Sequence, residues 1–123
     1  MANITQNVSG STIHGSVVAA ETIKDSFNII EKSNAEDDLK EQLKQLNEAV
    51  AALAQQLPKD KAEELADDMK RLAEEAVKEK PNSKWYSVSI DGLVAAAQNL
   101  GKVGDAVIEL SGKVRKLLTG GLL

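Results

Sequence analysis

The sequence predicts a mainly α protein. It is an antiparallel helical bundle, made of a helical hairpin plus a long C-terminal helix, with a short N-terminal β-forming assembly arm. Three observations carry that reading. First, Leu39, Leu43, Leu46, Val50, Leu53 and Leu57 recur at spacings of 4-3-4-3-4, a heptad seam of the kind used in coiled coils. Second, Leu65, Met69, Leu72 and Ala76 recur at 4-3-4 directly after Pro58, so a second helix follows a very short turn and folds back on the first. Third, no charged side chain precedes Glu21, and within that stretch Val8-Ser9-Gly10-Ser11-Thr12 and Ile13-His14-Gly15-Ser16-Val17 read as two related fives.

Residues 1–19 form the expected β-like self-association arm. Two short repeat units cannot bury an apolar face alone, because stacked repeats need about three or more. The missing units are then supplied by other copies of the chain. Uncharged, proline-free, β-branched segments are what intermolecular β-stacking uses. Ile4, Val8, Ile13, Val17 and Val18 are the candidate self-association residues of the arm. Stacking would also place His14 residues in a row about 4.8 Å apart, where protonation would be repulsive; a solvent-facing histidine without a role is the favoured reading.

From Ala20 the period changes. Ile23, Phe27 and Ile30 share one face of a short helix over about 19–32, assigned to a connecting segment, 20–34. A narrow seam on about three turns needs a partner, either the following bundle or the same helix in sister chains. On the second option Ile23, Phe27 and Ile30 join the self-association set.

The bundle is expected over 35–123. Asn34 is the predicted cap of its first helix, with Glu36, Asp37 and Asp38 matching the helix dipole. Lys80-Pro81-Asn82-Ser83 ends the hairpin. Trp85 and Tyr86 then read as an aromatic lid over the core, ahead of a helix capped by Ser87 or Ser89. That last helix is predicted as one element over about 88–118. Its apolar stripe is wide, with Ile90, Leu93, Ala97, Leu100, Val107 and Val114 on one seam, so it is the central helix of the bundle. Gly101, Gly104 and Gly112 within it are explained by close helix contact or a kink.

Composition bounds the chemistry. The 123 residues are 42 % hydrophobic and 28 % charged, a globular mixture. Cysteine is absent, so disulfides and thiolate metal sites are excluded. A lone His14, adjacent rather than convergent Asp37-Asp38 and Asp67-Asp68 pairs, and no phosphate-binding loop leave no constellation for catalysis, a metal or a cofactor. Net charge is −4; residues 36–80 hold 13 acidic and 8 basic side chains, residues 81–123 hold 3 and 5. No basic stripe interleaved with aromatics supports nucleic-acid binding. No secretory signal is visible, and the longest uncharged run of the second half, 92–101, is about half of what spans a bilayer. A cytoplasmic protein is expected.

Two resemblances add to this. Asn3-Ile4-Thr5-Gln6-Asn7-Val8-Ser9-Gly10-Ser11-Thr12-Ile13-His14-Gly15 resembles the short Asn/Gly-rich β motifs beside bacterial NLR-like and effector-associated signalling proteins, some of them of the amyloid-signalling type. Residues 36–118, including Leu57-Pro58 and Trp85-Tyr86-Ser87-Val88-Ser89-Ile90-Asp91-Gly92-Leu93, are similar to uncharacterised helical modules of such proteins. The resemblance implies oligomerisation or signalling, with a signalling or effector protein as a further partner. The function expected is therefore a self-assembling structural or adaptor protein, forming a homo-oligomer or filament. The alternatives are a membrane-active helical protein, which is not favoured, and a bacterial signalling bundle that binds a partner.

Overall fold

In the computed structural model, which describes residues 16–120, five helices pack around one core: α1 (Val17–Lys32), α2 (Asp37–Ala54), α3 (Lys59–Ala76), α4 (Ser83–Ala97) and α5 (Gly101–Leu118). Helices α2 to α5 form an up-down-up-down ring in which each helix touches the next and α5 closes back onto α2. Helix α1 lies outside the ring, along the groove between α2 and α3. Cross-links fix its direction. Ser16 and Asp25 meet Glu63 and Lys70, so α1 runs parallel to α3, while Glu31 meets Lys44, so it runs antiparallel to α2.

The hairpin follows from its seams. Leu43, Leu46, Val50 and Leu53 of α2 and Leu65, Met69, Leu72 and Ala76 of α3 are all buried. Each of the Leu, Val and Met side chains among them stabilises the fold by roughly 1.5–3 kcal/mol relative to exposure. Pro58 sits just ahead of α3, where its missing N–H costs nothing. Asp37 and Asp38 occupy the first turn of α2 as the dipole favours, but Asn34 does not cap it; Glu36 holds the cap position without a side-chain bond.

Three expectations are corrected. The first concerns the start of the chain's helical part. Val17, Val18 and Ala19, assigned to the β-like arm, are the first turn of α1. Ser16 breaks into extended backbone there, and its Oγ accepts the Ala19 N–H at 3.1 Å, an N-cap that fixes the helix start.

The second concerns the connecting helix. Segment 20–34 is a full member of the bundle, because Ile23 and Ile30 are buried against α2 and α3. A buried polar lock reinforces the contact with α2. Asn47 donates to the Ile23 carbonyl at 3.3 Å, and Ser26 Oγ pairs with Asn47 Oδ1. These groups satisfy one another where water is excluded, as buried polar groups must.

The third concerns the long C-terminal helix, which is two helices. Asn82, not Ser87 or Ser89, caps α4, its side chain accepting from Lys84 N–H at 2.9 Å. The chain turns at 98–100, with Asn99 at φ 66° and Gly101 at φ 71°. Both angles lie in the left-handed region that Asn and Gly tolerate best, and such residues end helices. Gly104 makes the fold-back close: a Cβ there would run into the Ala97 carbonyl at the end of α4. Gly112 faces open space, so neither kink nor contact explains it.

Candidate interaction surfaces

The predicted self-association residues fall into three groups. Ile4, Val8 and Ile13, with the rest of 1–15, lie outside the described residues. Val17 and Val18 stand in solvent on the first turn of α1, at 81 % and 57 % exposure. Ile23 and Ile30 are consumed by intrachain packing, and Phe27 between them is half-buried, with the Lys44 ammonium 6.0 Å from its ring centroid. The structure thus brings Val17 and Val18 together at the surface and takes the α1 seam away from any outside partner.

The same first turn is tethered. Ser16 Oγ donates to Glu63 Oε2 at 2.8 Å while accepting from Ala19, so one hydroxyl both caps α1 and ties it to the first turns of α3. Ser16, and with it the first turn of α1, is therefore held at a fixed point beside the start of α3.

A second surface, absent from the sequence reading, lies along α3 and α4. The aromatic pair splits: Tyr86 is buried, whereas Trp85 is 56 % exposed and Val88, one turn later, 61 % exposed. Trp85 is therefore not a lid over the core. It stands at the rim of a hollow of about 350 Å3 lined on the other side by Asp68, Arg71 and Glu74 of α3 and by Lys78 just past its end. Farther along the same groove a hollow of about 540 Å3 is lined by Leu57, Leu65, Ala95, Ala96 and Leu100, together with Lys61 and Glu64. Asp68 borders both hollows and lies against Gly92, where a Cβ would strike its carboxylate. The signal for this surface was present in Trp85 and Val88, neither of which falls on the Tyr86–Ile90–Leu93–Ala97 seam.

The electrostatics of the groove differ between two of its carboxylates, Asp68 and Glu75. Asp68 is pushed above the usual carboxylate range, chiefly by burial and then by Asp67 and Glu64, with Arg71 opposing. Glu75 is held below its ordinary range because it accepts the Asn82 backbone N–H at 2.8 Å and the Lys78 ammonium at 2.9 Å. It clamps the end of α3 to the cap of α4. Among the described residues no cluster of His, Cys, Asp and Glu converges on a metal position, and no helix is long and apolar enough to cross a membrane. Comparison of the chain with known protein families, curated proteins and solved structures finds no match.

Proposed function

We propose that the chain is a self-assembling structural or adaptor protein whose N-terminal segment, residues 3–15, stacks with the same segment of other copies. The observation that carries this is the uncharged pentad pair set directly ahead of a bundle that already buries its own seams. Among the described residues, the five helices share one buried core to which each of them contributes. Val17 and Val18 continue the apolar pattern onto the bundle's surface. The Ser16–Glu63 bond fixes the start of α1 in the same place in every copy, as a repeating assembly requires.

In this reading the helical bundle decorates or braces a β-stacked core, and its acidic middle keeps the assembly soluble. The membrane-active alternative draws on Lys113, Arg115 and Lys116 at the end of α5. It is weakened by the engagement of Arg115, whose Nη2 donates to Asp91 Oδ1 at 2.7 Å.

The test is the full chain carrying Val8→Asp, Ile13→Asp and Val17→Asp together. Asp at the first position of α1 suits the helix dipole, so circular dichroism is expected to be unchanged. Light scattering and electron microscopy are expected to show oligomers or filaments for the parent chain and none for the variant. Equal association of parent and variant, or none in either at high concentration, would overturn the proposal.

A further inference from the structure

At the end of the bundle where α2 begins and α3 and α5 finish, the helices leave a hollow of about 500 Å3. Its apolar lining is Leu39, Ala76, Val77, Pro81, Leu117 and Leu118. Ala76 is buried, but Leu39, Val77 and Leu118 are only partly covered and Leu117 is 37 % exposed. Of the charged side chains that also line it, Lys78 is taken up by Glu75, which leaves Glu36 and Glu79. The volume is on the scale of a small-molecule site, about 300–1,000 Å3, and three helix ends leave apolar surface around it.

Helix α5 ends in a way that turns the chain at this hollow. Thr119 N–H donates to the Arg115 carbonyl and Gly120 N–H to the Leu117 carbonyl, each at 3.0 Å, and Gly120 has φ 86°. A left-handed glycine with that second bond is the Schellman ending, after which an apolar residue frequently packs back on the helix. The next residue here is Gly121, and Leu122 and Leu123 come one and two places later. At about 3.3–3.6 Å per residue, Leu122 lies within ~7 Å of Gly120 and Leu123 within ~10 Å. That reach matches the roughly 8–10 Å between neighbouring helices. The hollow, whose own wall includes Leu117 and Leu118, is within it. The uncharged N-terminal segment is a poorer occupant, because Ser16 is bonded to Glu63, roughly 20 Å along α3 from Ala76.

We propose that Leu122 and Leu123 fill this hollow and seal the end of the bundle against Leu39, Val77 and Leu118. The seal ties the end of α5 to the end of α3, helices that are not neighbours in the ring. It lies at the opposite end of α3 from Ser16 and does not depend on stacking of residues 3–15.

The chain has no cysteine, so an introduced pair meets no competing thiol. The full chain carrying Val77→Cys and Leu123→Cys is oxidised at high dilution beside one carrying Lys116→Cys and Leu123→Cys. A disulfide needs Cα atoms within about 7 Å. Lys116 is exposed and much nearer to Leu123 along the sequence, so a free tail closes the Lys116 pair faster through its shorter loop. The seal reverses that order, and the Val77 pair is expected to close within one chain roughly tenfold faster. Hydrogen exchange gives a second reading with Leu122→Asp and Leu123→Asp together. Burial and the nearby Glu36 and Glu79 both disfavour the new charges. Amides around 37–40 and 75–79 are expected to lose protection, while those at the Leu57–Leu100 end keep theirs.

Closure of the Lys116 pair at an equal or greater rate overturns the proposal. So does a Val77 disulfide that forms between chains, which makes a second copy the occupant. Unchanged exchange at both helix ends in the Asp variant overturns it as well.

Discussion

Glu75 and Asp68 lie close together on α3 and respond to pH in opposite senses. The Glu75 carboxylate is favoured in the folded chain, so its contribution is present above the ordinary glutamate range and is lost as pH falls through its depressed folded value. Asp68 is raised, so the folded chain holds its proton more tightly than the unfolded chain does. Its charge is a cost that is complete above the raised value and vanishes below the ordinary aspartate range. Glu75→Ala is expected to lower stability at pH 7 by about 1–3 kcal/mol, because two donors lose a charged acceptor, with the difference shrinking as pH falls through the depressed value of Glu75. Asp68→Asn is expected to raise stability at pH 7 and to approach the parent below the ordinary aspartate range. Denaturant unfolding across pH 3–8 reads both. An Asp68→Asn variant less stable than the parent at pH 7 would mean that the carboxylate is held by a partner, not stranded by burial.

Among the elements, the three glycines of α5 separate what periodicity reveals from what it hides. Gly104→Ala is expected to be destabilising, since the Cβ meets a backbone carbonyl that cannot rotate away. Gly112→Ala, in the interior of the helix and facing open space, is expected to stabilise by roughly 0.5–1 kcal/mol. Thermal unfolding of the two variants should move in opposite directions. Identical shifts would remove the fold-back contact as the reason for Gly104. Sequence spacing found α2 and α3 because their seams are uninterrupted, although the α2 seam runs on to Leu57, past the end of the helix at Ala54. It read α4 and α5 as one helix because no proline separates them and the apolar pattern runs through Leu100. The breakers were Asn99 and Gly101, whose left-handed angles a pattern of apolar positions does not register. Trp85 and Val88 were missed for a related reason: apolar residues were assigned to the core although these two lie off the α4 seam, and their exposure shows that they miss it.

At the scale of the whole molecule, the place of α1 decides how the bundle unfolds and what it offers to other copies. A helix that merely linked an arm to a bundle could detach without cost to the rest. Here Ala19, Ile23 and Ile30 are buried in the α2–α3 groove, and Ser26 and Asn47 share a lock that detachment would leave unsatisfied. Because α2 also closes the ring with α5, loosening α1 exposes a face of the helix on which ring closure depends. Ile30→Ala is therefore expected to cost about 2–5 kcal/mol, the range for emptying a buried aliphatic site. The loss should be global. Hydrogen exchange is expected to show protection falling together in α1, α2 and α5, and thermal unfolding should remain a single transition. If only the amides of α1 lost protection while α2 to α5 kept theirs, α1 would be a detachable connector, and its Ile23–Ile30 seam would again be free to meet sister chains.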